Sequence, residues 1–164
     1  MSSPKETLKY VEEALHSDRL AVLATTCEGQ PHASLIAIAP FESIGQLVFA
    51  TYRNTRKFRN ITLNSKVAVL MERGNDDNTN QENSFAITVY GHAQEISIKT
   101  KDAALQTLSN KHPNLKSFTD SFDCALMLIT VDEYQLVQGI DNITYWPVVH
   151  LTNEKEMISL QKKI

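Results

Sequence analysis

The residues with the clearest chemical potential are four cations that lie within seven residues of an otherwise acidic chain. The sequence has 164 residues and a formal net charge of −3, so this concentration of positive charge is local. The four cations are Arg53, Arg56, Lys57 and Arg59. Such a cluster could bind an anion or could form a solvated basic surface, and composition alone leaves both roles open.

The position of two of these cations indicates a phosphate site. Thr55 is a favourable N-cap, so the pattern predicts a short helix over residues 55–63 with Arg56 and Lys57 in its first turn. The N-terminus of a helix already carries partial positive charge, so cations there are unfavourable unless an anion lies between them. A phosphate would accept hydrogen bonds from the helix N–H groups, from the Thr55 hydroxyl and from both cationic side chains.

The rest of the composition is ordinary for a soluble globular protein, with 42% hydrophobic and 21% charged residues. We expect a single domain over residues 1–164. The acidic balance argues against a nucleic-acid partner. The N-terminus is too polar for a signal peptide, and no apolar run approaches the roughly 20 residues that span a bilayer, so we expect a cytoplasmic protein without membrane contact.

Neither the cysteines nor the histidines form a recognisable catalytic or metal-binding motif. Cys27 and Cys124 lie far apart and make no CxxC pair, as expected for free thiols in a reducing compartment. No two of the five histidines have metal-ligand spacing, so no metal is expected. The chain also lacks GxSxG and phosphate-loop motifs, and no residue is assigned a catalytic role.

The hydrophobic pattern predicts mainly strands with flanking helices. Ser3, Pro4 and Glu6 form the signature of a helix start, and Gly91 marks a bulge or a sharp bend within a long strand. Residues 74–84 are polar and predict an exposed loop. Strands are predicted at residues 20–26, 31–39, 46–51, 66–72, 85–98 and 124–131, with further strand at 134–139 and 142–151. Helices are predicted at residues 55–63 and 100–111. Residues 154–162 are predicted to form a short helix or to be disordered. Short strands joined mostly by turns favour a six- to eight-stranded antiparallel barrel.

The stretch LVFATYRNTRK, preceded by LAVLATTCEGQPHASLIAIA, resembles the pyridoxamine 5'-phosphate oxidase-like, FMN-binding split-barrel superfamily. The likeness covers residues 20–98. It implies a homodimer with one FMN bound non-covalently at each site between the subunits. The residues implied to hold the FMN phosphate are Thr51, Thr55, Arg56 and Lys57, and those implied to contact the isoalloxazine ring through their backbone are Ser34, Leu35, Ile36 and Ala37.

The departures from the true oxidase lie at the positions that would hold its substrate. Ser34 stands where the oxidase has an arginine, and Ala39 stands where it has a substrate-contacting lysine. A glutamine supplied by the partner subunit would fall near Ala86, and the oxidase's C-terminal Arg-Leu-His-Asp-Arg signature is absent. We therefore expect that this protein does not oxidise pyridoxamine phosphate.

The resemblance implies an FMN-dependent oxidoreductase that acts on an unidentified small molecule or electron donor. A flavin-binding or sensing module without turnover is one alternative. A split barrel that uses haem or a deazaflavin is another, and His150 is the histidine that a haem would most readily use. Trp146 and Tyr145 are expected to be core or interface aromatics.

Overall fold

The computed structural model describes residues 1–17, 20–73, 84–139 and 141–162. The helices are α1 Pro4–His16, α2 Arg56–Leu63, α3 Lys101–Lys111, α4 Lys116–Thr119 and α5 Val148–Gln161, with a 3-10 turn at Pro113–Leu115. The strands are β1 Ala21–Cys27, β2 Gln30–Ile36, β3 Ile38–Phe41, β4 Ser43–Tyr52, β5 Lys66–Arg73, β6 Phe85–Glu95, β7 Cys124–Gln138 and β8 Asn142–Pro147. All but Ser84 of the polar loop predicted at 74–84 lies outside the described residues.

All eight strands belong to one antiparallel sheet, which confirms the predicted fold class. Hydrogen-bonded neighbours follow the order β2-β1-β5-β6-β7-β4-β3, and β8 pairs with β7. The first and last strands of this order, β2 and β3, are joined by the single residue Ala37. The two ends of the sheet are therefore held together covalently, and the sheet must curl around its core rather than remain open.

The longest strand, β7, holds the two halves of the barrel together. Along one edge it pairs with β6, and along the other it pairs first with β4 and then with β8. The two segments predicted at 124–131 and 134–139 are thus one continuous strand.

Two predicted strand boundaries are wrong at their C-terminal ends. The strand predicted at 142–151 stops at Pro147, and α5 begins at Val148 and includes most of the predicted tail segment. Proline has no N–H for the ladder and suits the start of a helix, which accounts for the change. The strand predicted at 85–98 ends at Glu95.

Short-range signals set the first helix and the bulge of β6 as predicted. The Ser3 side chain accepts from the Glu6 N–H while the Glu6 carboxylate accepts from the Ser3 N–H, which completes a capping box.

The register of β6 against β7 shifts between Tyr90 and Gly91. A Cβ at Gly91 would lie 2.2 Å from the Thr130 carbonyl oxygen, so only glycine fits this approach.

The interior is filled by two apolar clusters. The larger one packs α1, α2 and α5 against the inward side chains of the sheet, with Phe49, Ile87 and Leu136 fully buried. The smaller one packs Ala104 and Leu108 of α3 against β3, β4 and β7. Within the described residues, no helix is long and apolar enough to cross a membrane.

Candidate functional site

A surface groove of about 280 Å³ lies where the end of β4 meets the junction of β2 and β3. One wall is formed by β2 and the connecting residue Ala37. The floor is the end of β4 and the start of α2, and the 3-10 turn and α4 supply the opposite wall through Leu115 and Phe118. The phosphate and ring segments predicted from the sequence, 20 residues apart at Leu35 and Thr55, therefore meet in one place.

Six of the eight predicted cofactor-binding residues line this groove. They are Leu35, Ile36, Ala37, Thr51, Thr55 and Lys57. Ser34 does not line it. Its register partner Leu23 is fully buried, so the Ser34 side chain faces the barrel interior, where its hydroxyl oxygen is buried without a partner among the described residues. Arg56 is exposed beside the groove and does not line it.

The turn that leads into α2 is shaped by two threonine hydroxyls. The Thr55 hydroxyl donates to the Tyr52 carbonyl oxygen at 2.8 Å and accepts from the Phe58 N–H at 3.4 Å, which makes Thr55 the predicted N-cap. The buried Thr51 hydroxyl lies 2.9 Å from that of Thr55. Because these hydroxyls already bond within the turn, they hold the helix start in place, and the N–H groups of Arg56 and Lys57 have no partner within the helix.

Lys57 is a partly buried cation with no acidic partner among the described residues. Burial lowers the pKa of its ammonium from the ordinary 10.5, because desolvation disfavours the charged form. The first turn of α2 contains no acidic residue. An unpaired ammonium at a helix N-terminus is electrostatically unfavourable, and an anion in the groove would relieve this.

The other two cations of the cluster do not contribute to this site. Arg53 forms an ion pair with Glu95 and donates to the carbonyl oxygens of Phe122 and Cys124 at 3.2 and 3.3 Å. It therefore ties the end of β4 to neighbouring strands. Arg59 is exposed and does not line the groove.

The β2 wall offers backbone groups and an apolar surface. Since β2 is the last strand of the pairing order, its edge away from β1 has no strand partner among the described residues. Its N–H and C=O groups are therefore available to a planar heteroaromatic ring. Leu35 is 62% exposed, which is unusual for a leucine in a strand, and it presents an apolar contact at the same place.

Five residues that line the groove were not among the predicted cofactor-binding residues: Leu20, Ala50, Tyr52, Leu115 and Phe118. Phe118 packs against Tyr52 with ring centroids 4.3 Å apart, and Leu115 lies beside it. Both come from the short helical segment after Pro113, whose few residues show no clear periodicity. The only sequence signal was two apolar residues three positions apart.

Comparison with known families decides the relationship. The sequence profile described as pyridoxamine 5'-phosphate oxidase matches residues 8–138. The chain belongs to the pyridoxamine 5'-phosphate oxidase-like family. Comparison with curated proteins gave no match.

Solved structures of this family share the fold at low sequence identity. A haem-binding protein from Mycobacterium smegmatis is 18% identical with a TM-score of 0.76, and the match covers 93% of this chain and 61% of that one. A protein related to general stress protein 26 from Clostridium acetobutylicum is 13% identical with a TM-score of 0.71, over 90% and 98% of the two chains. An FAD-binding protein from Mesorhizobium loti is 15% identical with a TM-score of 0.63, over 78% and 91%.

The chain is a member of the pyridoxamine 5'-phosphate oxidase-like family but not the true oxidase. Ala39, at the position of the oxidase's lysine, is 1% exposed and packs beneath Ala104 and Leu108 of α3. No histidine lines the groove, and His150 stacks against Trp146 at a centroid distance of 5.8 Å. Among the described residues, no cluster of three or more His, Cys, Asp or Glu side chains could hold a metal ion.

Proposed function

We propose that the groove binds FMN and that the protein is an FMN-dependent oxidoreductase. The observation that carries the proposal is the start of α2, where Lys57 lines the groove without an acidic partner among the described residues and the first-turn N–H groups have no partner within the helix. These donors match a phosphate monoester. Arg56, which is exposed at the rim, would add long-range attraction and a second cationic donor.

The β2 wall of the groove fits the flavin ring. The unpaired edge of β2 at residues 34–37 supplies hydrogen-bonding groups in a row, and Leu35, Leu115 and Phe118 supply apolar contacts. A bound FMN would supply one- or two-electron redox chemistry, and the protein would hold and orient the ring. No residue of the groove is assigned a catalytic role.

The burial of Ala39 supports a substrate other than pyridoxamine phosphate. A lysine at this position would have to displace α3 to reach the groove, because Ala39 packs against Ala104 and Leu108. A phosphorylated substrate would therefore lack this cationic donor. We infer a small unphosphorylated molecule or a protein electron donor as the partner of the flavin.

We also propose that the site is completed by a second copy of the chain. Proteins of this family are commonly dimeric. The groove is at the lower end of the roughly 300–1,000 Å³ typical of ligand pockets, so one subunit would cover only part of FMN. Three exposed apolar side chains, Leu35, Leu70 and Tyr145, lie on the outer sheet face beside the groove. They belong to a row of register partners that also includes the half-buried Val22, Thr88 and Gln135.

Haem binding is the second candidate, because the M. smegmatis protein of similar fold is described as haem-binding. An axial histidine is the common haem ligand of this kind of pocket. His150 is exposed and does not line the groove. This geometry favours a flavin over haem at the proposed site.

The proposed function is tested by absorption spectroscopy and by ligand titration. Bands near roughly 370 and 450 nm in the purified protein identify flavin, and one sharp band near roughly 400 nm identifies haem. FMN should bind more tightly than riboflavin, which lacks the phosphate. Lys57→Ala should weaken FMN binding by about 1.5–3 kcal/mol, roughly one to two decades in Kd, and Arg56→Ala by less, because Arg56 is more exposed.

Arg59→Ala is the matched control, since it removes an exposed cation from the same helix outside the groove. It should leave the preference for FMN over riboflavin unchanged. Equal affinities of the parent protein for FMN and riboflavin would contradict the assignment of the phosphate site. Oxygen uptake or electron-acceptor reduction by the FMN-loaded protein then separates an oxidoreductase from a binding module without turnover.

A further inference from the structure

A polar pair lies in the otherwise apolar contact between α2 and β1. Asn60 is 1% exposed and Thr25 is 3% exposed. The Asn60 side-chain amide donates through Nδ2 to the Thr25 hydroxyl oxygen at 3.0 Å. The Asn60 Oδ1 atom is buried and has no hydrogen-bond partner among the described residues.

This arrangement costs stability compared with an apolar pair. A buried polar atom without a partner loses its hydration, and one neutral hydrogen bond returns less free energy than that loss. Two apolar side chains of similar shape would fill the same space without this cost. The Thr25–Asn60 hydrogen bond is directional, so it fixes the orientation of α2 relative to β1, whereas a purely apolar contact would allow the two elements to slide past each other.

The bond joins α2, whose start forms part of the groove floor, to β1, the strand that pairs with the β2 wall. Helix α2 carries Lys57 one turn before Asn60, and it buries only Asn60 and Ile61 along its eight residues. Strand β1 pairs along its whole length with β2, with Thr25 opposite His32 and Val22 opposite Leu35. The Thr25–Asn60 bond therefore sets the distance and rotation of the phosphate-binding helix relative to the strand that faces the ring.

We propose that Asn60, with Thr25, is a positioning residue. It holds the start of α2 and the β2 wall at the spacing that allows one ligand to contact both at once. This inference rests on the proposed FMN site and adds a residue that does not touch the ligand. FMN must contact the start of α2 with its phosphate and the β2 wall with its ring at the same time, so a shift of about 1 Å between α2 and β2 weakens FMN binding. Riboflavin has no phosphate and contacts only the β2 wall, so its affinity is insensitive to that shift.

The test uses Asn60→Leu, Thr25→Val and the double variant, each titrated with FMN and with riboflavin and each melted in parallel. Each single variant leaves a buried polar group unpaired, so its Tm falls. Each should also reduce FMN affinity by about three- to tenfold, the equivalent of one neutral hydrogen bond, with riboflavin affinity within about twofold of the parent. Thr25→Val is nearly isosteric and keeps the test available if Asn60→Leu does not fold.

The double variant separates positioning from stability. It has no unpaired polar group from this pair, so its Tm should recover toward that of the parent while the FMN preference stays reduced. Thr7→Val is the matched control: Thr7 is buried in α1, its hydroxyl has no hydrogen-bond partner among the described residues, and α1 does not line the groove. It should leave the ratio of FMN to riboflavin affinity unchanged.

Two outcomes overturn different conclusions. If the parent prefers FMN and the double variant regains that preference together with its Tm, Asn60 is only structural and this inference is wrong. If the parent binds FMN and riboflavin equally, or if Lys57→Ala leaves its preference intact, the proposed phosphate site is wrong and this inference falls with it.

Discussion

Among single residues, Lys57 would give the proposed phosphate site a defined pH dependence through its ammonium. Burial lowers its pKa below 10.5, so in the free protein this proton is lost earlier as pH rises. The unfolded chain holds the proton more tightly, so the charged lysine destabilises the fold at neutral pH, and this effect is relieved as pH rises past the lowered pKa. A phosphate binds the protonated form and stabilises it.

We therefore expect the affinity for FMN, relative to riboflavin, to fall as pH is raised from neutrality towards 10.5. The flavin ring ionises identically in both ligands, so their affinity ratio isolates the lysine. Titrations of both ligands at a series of pH values measure this affinity ratio. Lys57→Ala should give a flat ratio and Arg59→Ala should keep the slope. A flat ratio in the parent protein would mean that Lys57 does not face the phosphate.

At the scale of elements, the bulge of β6 is the feature most sensitive to substitution. Gly91→Ala would place a Cβ 2.2 Å from the Thr130 carbonyl oxygen, which is backbone of the neighbouring strand and cannot turn away. Overpacking of this kind costs about 1–3 kcal/mol, and here the strand pairing must shift as well. Chemical denaturation should show this loss in the free energy of unfolding.

Gly45→Ala provides the control within another strand of the same sheet. Its Cβ would lie 3.3 Å from the Ser43 hydroxyl oxygen, which accepts from the Gly45 N–H at 3.1 Å, and a small movement of this side chain relieves the contact without moving backbone. This variant should unfold within about 0.5 kcal/mol of the parent, as for most substitutions that create no steric conflict. Equal losses for both variants would show that the bulge does not depend on the absence of a side chain at Gly91.

At the scale of the whole molecule, the outer face of the sheet predicts how two copies meet. Leu70 is 42% exposed near the middle of this face, and Tyr90, Gln135 and Tyr145 form a hydrogen-bonded chain beside it, with distances of 3.1 and 2.7 Å. Leu70→Lys would place a charge in a contact between two copies. We expect light scattering to show a dimer for the parent, a monomer for this variant, and weaker FMN binding by the monomer.

Met157→Lys is the matched control, because Met157 is an exposed apolar residue on α5, away from this face. It should remain dimeric and bind FMN like the parent. A parent protein that is monomeric at micromolar concentration with FMN bound would contradict the proposed assembly. A Leu70→Lys dimer would place the interface elsewhere on the molecule.

The sequence by itself determined the features that depend on a few neighbouring residues. The capping box of α1 needs only Ser3 and Glu6, and the N-cap of α2 needs only Thr55 and the residues that follow. The strand pattern was sufficient to predict an antiparallel barrel, and the cation-rich first turn of α2 predicted a phosphate site; that the barrel is a split barrel was implied by the family resemblance. These signals are local, because capping bonds and side-chain alternation extend over only a few residues.

Only the tertiary structure decided which of these residues act together. Arg53 was part of the predicted cation cluster, yet its partners Glu95 and Cys124 lie 42 and 71 positions away in the chain, and they remove it from the site. The same folding brings Phe118 onto Tyr52 and Asn60 onto Thr25. Contacts between distant segments depend on how the closed sheet packs its helices, and a pattern read along the chain does not contain that distance information.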